Sequence, residues 1–305
     1  MDKKLYFYYD FAFRDEKVFG AQLREFIDNG VRDFVLSDPM MKRICEDHGT
    51  ISMLHNVCRI FEVGFGAAHA PYGKTFDLNV PEPEVRKALF KHHVVCMNAA
   101  AGLGCRTYTM HVGAWHSICE HVPVAELRPL AVDMLEKLLP YAEQAGIIIA
   151  VENSFEIPNS PSEVKRIVDH FAGSSNIGVC FDSGHANCML SGPDKTDDKY
   201  PGYMRDAWWE NGIIHEDDPL GVLGNDIVTC HLHDNNGFSD QHALPGDGTV
   251  DWNSLVPRLK SLPRIMEYQT EVSGAWGSSW AGPVPAPAGG YSIKRQKEVF
   301  TEKGF

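Results

Sequence analysis

The stretch TCHLHDNNGFSDQH, residues 229–242, sets three histidines and two aspartates at the end of an apolar run and continues into ALPGDGTVDW. Imidazole nitrogens and carboxylate oxygens serve as acid–base groups and as ligands of divalent metals. Left unpaired, ionised groups are too costly to bury, so a crowded set calls for a compensating charge. Similar residues close other β-rich runs: His69, His111 (with Trp115 and His116 just beyond), Glu152 in AVENS, Asp182 and His185 in FDSGH, and Glu271 in YQTEV. One such residue could be a salt-bridged structural group; six strand ends in register point to a site. Two Glu, one Asp and one His form a mixed oxygen and nitrogen donor set that suits Mn, Mg, Co or Zn. In CHLHD, His231 and His233 share one side of a strand, so both could face the same interior. Glu267, Gln269 and Glu271 share a face by the same rule, and only Glu271 lies near the C-terminal end of its run.

The elements that must carry these residues alternate almost from end to end. Short β-rich runs at 5–10, 33–37, 64–71, 106–113, 146–154, 177–184, 227–234 and 265–272 are separated by helical patterns. In 84–104 and 126–146 apolar residues recur every three to four positions and the segments end in Gly, a frequent helix stop. SPSEVKRIVDHF offers Ser160 or Ser162 as an N-cap. Eight strands alternating with helices predict an α/β fold, a (β/α)8 TIM barrel forming a single domain over 1–305. No G-x-G-x-x-G follows the first strand, which argues against a doubly wound dinucleotide-binding sheet. In such a barrel the catalytic side chains come from the C-terminal strand ends, where the polar residues above fall. The long insertion after the sixth strand, 188–221, carries Tyr200, Tyr203, Trp208 and Trp209. It is expected to lie over the mouth as a lid, or to pack its aromatic residues against the barrel. PGDG (245–248) reads as a tight turn into the helix DWNSLVPRLKSL. A Pro/Gly-rich loop and a last charged helix complete the chain over 273–305.

These motifs resemble the xylose isomerase-like barrel superfamily, which spans sugar phosphate isomerases and epimerases and the metal-dependent apurinic/apyrimidinic endonucleases. The resemblance runs from about His69 to Glu271 and rests on VEN (151–153), FDSGHA (181–186), HLHDNNG followed by DQHALPGDGTVDW, and TEV (270–272). It implies that Glu152, Asp182, His231 and Glu271 ligate one divalent ion, Mn, Mg or Co with Zn as an alternative. The His231–Asp234 spacing matches the family ligand position and selects His231 over His233. Glu152 and Glu271 are the implied catalytic acid–base pair: one removes a proton beside a metal-bound carbonyl and hydroxyl, and the other returns it. His185 is implied to bind substrate or a second metal, and His69, His111, Asp240 and His242 to bind substrate. In the endonuclease branch, the D-x-H of Asp240 and His242, with His69 and His111, would bind further zinc. A lyase or deglycosylase using the same proton abstraction is a third possibility.

Composition separates these branches. The chain has 305 residues, 44% of them apolar, and 41 acidic against 28 basic residues give a net charge of −13. That balance and the acidic or neutral loops at the expected mouth disfavour nucleic acid, which needs several Lys/Arg contacts to phosphate. A small carbohydrate is the expected partner, and a homo-oligomer is compatible with the family. The N-terminus meets charged residues too soon for a signal peptide or membrane span, so a cytoplasmic protein is expected. Eight cysteines without a C-x-x-C spacing read as reduced thiols, mostly buried.

Overall fold

The computed structural model describes residues 3–9, 16–47, 49–272 and 290–305. Eight parallel strands, β1 (Leu5–Tyr9), β2 (Asp33–Leu36), β3 (Gly64–His69), β4 (Thr107–Met110), β5 (Ile148–Glu152), β6 (Ile177–Asp182), β7 (Ile227–Leu232) and β8 (Tyr268–Thr270), close in sequence order into a barrel. Leu5 pairs with Tyr268 to complete the ring. The fold expected from the alternation is therefore the fold observed. Every residue of β6 and β7 is buried, as strands covered by helices on one side and a filled interior on the other require. The lower interior is fitted large against small: the Tyr6 ring occupies the space where a Cβ on Gly66 would stand, 2.1 Å away. Beside it, Gln269 donates to the Thr229 hydroxyl and Thr107 donates to Glu267.

The long helices Pro83–Leu103 and Val124–Ala145 stop at Gly104 and Gly146, both left-handed with φ of 103° and 70°, where a side chain would be strained. Helix Pro161–His170 starts after Ser160. Ser160 occupies the expected cap position but its side chain makes no cap bond; Pro161 sets the first helical φ instead. The 245–248 turn leads into helix Trp252–Ser261 as expected.

The insertion after β6 has an apolar core of its own. Tyr200, Met204 and Trp208 are buried with Phe155 and Met189, and the Trp208 indole N–H donates to the Phe155 carbonyl at 2.7 Å. Of the two readings of its aromatic residues, the burial of Trp208 favours packing. The expected loop over 273–289 lies outside the described residues; helix Ile293–Glu302 follows it. All eight cysteines are free thiols, five of them buried, with Cys119 exposed. No helix among the described residues is long and apolar enough to cross a membrane.

Candidate metal centre

Glu152 ends β5, Asp182 ends β6, His231 is the penultimate residue of β7, and Glu271 follows β8. One ligand atom from each lies within 4.8 Å of the others. His231 Nδ1 stands 2.9 Å from Glu152 Oε1, 3.2 Å from Glu271 Oε2 and 3.9 Å from Asp182 Oδ2. The register explains the convergence: Asp182 pairs with His231 across β6 and β7, and His231 pairs with Gln269 across β7 and β8. Glu271, two residues on from Gln269, turns to the same face. Glu267 falls at the opposite end of β8, hydrogen-bonded to Thr107 in the barrel floor.

The remaining residues expected to bind substrate surround this group. His69 Nε2 and His111 Nε2 lie 3.3 and 3.2 Å from Glu152 Oε2. His185 Nε2 and His242 Nε2 lie 3.4 and 3.1 Å from the same oxygen, Asp240 Oδ2. Three of these rings are aimed by one device. Nδ1 of His69 meets the Ala70 carbonyl at 2.7 Å, that of His185 the Asn153 carbonyl at 3.0 Å, and that of His242 the Glu271 carbonyl at 2.7 Å. Each thereby turns Nε2 toward the carboxylates, the arrangement that orients metal-binding imidazoles. His242 has φ 48°, an uncommon conformation for a residue with a side chain. His116 is drawn aside, pairing with Glu120 on helix Trp115–Glu120.

His233 is fully buried and donates from Nε2 toward Asp182 Oδ2 at 3.0 Å, with its ring stacked on His242 at 4.1 Å and 8°. A Cβ on Gly184 would meet the His233 ring at 2.0 Å, which accounts for the glycine in FDSGH. Asp234 plays a different part. Its carboxylate accepts from the backbone N–H groups of Asn235, Gly246 and Val250 and from the Trp252 indole, stapling the 245–248 turn beneath the site.

Burial alone would raise the Glu152 pKa, but the His231 and His111 imidazoles overturn it and hold the group well below the usual carboxylate range. Asp240 behaves likewise through His242 and His185. Burial would lower the partner imidazoles, yet Cys180, Glu152 and Glu271 hold His231 well above its ordinary value, and Asp240 raises His242 to about 10. The carboxylates thus demand positive charge at their centre. Glu152 Oε2, Asp240 Oδ1 and Glu271 Oε2 are buried without a well-formed hydrogen bond, and ionised oxygens in that position fit a divalent cation, as does the mixed donor set.

The cavity above these groups is also lined by Tyr8, Asp38, Tyr72, Phe155 and Glu156, which sequence reasoning passed over. Asp38 accepts from Tyr8 at 3.3 Å, and Glu156 from Tyr72 at 3.4 Å. Asp38 stands one residue past the expected second strand, so the strand-end rule could have reached it. Nothing in the sequence marks Tyr72 or Phe155.

The chain matches the model of the xylose isomerase-like TIM barrel over residues 25–279 and belongs to that family. It is 25% identical over 201 residues to the uncharacterized protein MJ1311 of Methanocaldococcus jannaschii, covering 64% of this chain and 59% of that protein. It is 22% identical over 233 residues to the probable endonuclease 4 of Ureaplasma parvum, covering 71% and 70%. The chain therefore spans under two thirds of MJ1311. Among solved structures, it superposes on L-ribulose 3-epimerase with a TM-score of 0.71 at 13% identity, covering 99% of this chain and 94% of the other. A zinc-bound structure, the IOLI protein, gives 0.66 at 16% identity, covering 98% and 97%. At these identities the structural likeness establishes the fold.

Proposed function

We propose that the protein is a divalent-metal-dependent isomerase or epimerase that moves a proton at a carbon beside the carbonyl of an unphosphorylated, sugar-like substrate. The carrying observation is the convergence of Glu152, Asp182, His231 and Glu271 at the barrel mouth. These four residues would hold the ion, which when bound supplies Lewis-acid polarisation of a carbonyl and an adjacent hydroxyl. Manganese, magnesium or cobalt is the proposed ion, with zinc as the alternative. The chain's own groups do the rest. Glu152 and Glu271 arrive from strands three apart around the ring, so one can take the proton and the other return it from another side, giving epimerisation. If one carboxylate serves both steps, the outcome is isomerisation. His69, His111, His185, Asp240 and His242 would hold substrate oxygens. Phe155 and the pocket wall limit water at the reacting carbon.

The acidic pocket lining, with Asp38 and Glu156 beside the central carboxylates, supports a neutral polyol over a phosphorylated chain. A second reading, phosphodiester hydrolysis at a multinuclear zinc site, is favoured by one specific feature: His69, His111, Asp240 and His242 add donors around the central four. The kinship with proteins named endonuclease 4 bears on the same reading. The test is incubation with D-fructose or D-tagatose and manganese in heavy water, read by NMR. Deuterium entering the C–H beside the carbonyl is the expected result. No exchange in any ketose, with zinc-dependent nicking of a duplex bearing an abasic site, would replace this reading by the second.

A further inference from the structure

The four central residues sit on barrel strand ends, but Asp240 and His242 sit on the loop after β7, and the structure shows what that loop leans on. The backbone N–H of Asp240 donates to the Tyr203 hydroxyl at 3.2 Å, and Tyr203 belongs to helix Gly202–Ala207 of the insertion after β6. The Tyr203 ring packs edge-on against Phe155 at 5.7 Å, and Phe155 packs edge-on against His185 at 5.8 Å. Phe155 is fixed in turn by the Trp208 indole on its carbonyl. Tyr203 thus touches Asp240 directly and reaches His185 only through Phe155, which follows β5. The insertion is itself tied down: Lys195 donates to the Asn187 and Gly237 carbonyls and lies over the Phe238 ring at 4.8 Å.

We infer that the insertion is a buttress for one half of the site, and that Tyr203 is a positioning residue that holds Asp240 where His185 and His242 share its carboxylate at the substrate side of the pocket. This rests on the proposed function and adds to it a division of labour: the barrel places Glu152, Asp182, His231 and Glu271, and the insertion places Asp240. Buried Asp240 Oδ1, which lacks a hydrogen-bond partner, is the atom this placement offers to a substrate hydroxyl. Tyr203 acts through the backbone of Asp240 and does not itself enter the donor set.

The test compares Tyr203→Phe with Tyr200→Phe in the full chain. Tyr200 also belongs to the insertion and loses a comparable bond, its hydroxyl to the Cys188 carbonyl at 3.0 Å, without contact to Asp240. Zinc and manganese binding are followed by equilibrium dialysis with elemental analysis, and amide exchange at Asp240 is followed by NMR in chelator-treated protein. The expectation for Tyr203→Phe is faster exchange at Asp240 and a roughly tenfold higher KM for the ketose, with kcat and manganese affinity unchanged, as loss of a binding contact gives. Tyr200→Phe should leave exchange at Asp240, KM and manganese affinity as in the wild type. Unchanged exchange at Asp240 in Tyr203→Phe, or equal acceleration by both variants, would overturn the inference. A wild-type protein that binds no ion defeats the proposed metal centre itself, and this is seen before any variant is compared.

Discussion

The two halves of the site are built differently. Glu152, Asp182, His231 and Glu271 are held by the barrel's own ladder, where Asp182 is opposite His231 in register and a shift would have to break strand pairing. Asp240 and His242 are held by a loop whose geometry depends on a second loop, through Tyr203, and on a left-handed backbone at His242. Rigid strands suit groups that must keep fixed distances through a reaction, whereas loops carry the adjustable contacts on which substrate choice depends. On the proposed function, the first half would carry the chemistry and the second the recognition of substrate.

Substitution on either side should separate them. Glu152→Gln and Glu271→Gln should each lower deuterium exchange into substrate on the order of 10³-fold, the scale of a lost acid–base group, without loss of the fold. His242→Asn should instead raise KM about tenfold with a smaller change in kcat, as removal of a binding contact does. Equal collapse of kcat in both sets would erase the division.

A second comparison runs along β8, where Glu267 and Glu271 flank the strand on the same face but in different layers. Burial raises Glu267 to about 7. A carboxyl raised above its unfolded value contributes stability that is complete below about pH 4.5 and is lost as pH rises through 7. Glu267→Gln should remove that dependence and gain on the order of 3 kcal/mol relative to the wild type between pH 4 and pH 8 in denaturant melts. Parallel stability curves for the two proteins would contradict the burial of an acid in the barrel floor.

A last substitution tests the junction between the halves. His233 bonds Asp182 and stacks on His242, and Gly184 leaves room for its ring. Gly184→Ala should cost about 1–3 kcal/mol, the usual penalty of overpacking, and should loosen metal binding at the same time. A variant as stable and as metal-avid as the wild type would show that His233 is a bystander.

Much of the strand-held half is legible in the sequence because strand period and the strand-end rule are local. The eight β-rich runs are visible as runs, and Glu271 is preferred to Glu267 from its place along the strand alone. The ends read too long, as at 265–272 against Tyr268–Thr270, because the chain leaves the ladder where its polar residues turn into the pocket. The loop-held half resists for a physical reason. Tyr203 and Asp240 are 37 positions apart with no shared period, and a hydroxyl meeting a backbone N–H leaves no mark in residue type. Gly184 and Asp234 are visible as motif letters, but their reasons, a histidine ring against one and four donors on the other, exist only in three dimensions.

The most direct measurement is the anomalous signal of crystals grown with manganese. The account predicts a peak about 2.0–2.3 Å from oxygens of Glu152, Asp182 and Glu271 and from one nitrogen of His231. Manganese-soaked crystals with these four side chains in the present arrangement and no peak between them would contradict it.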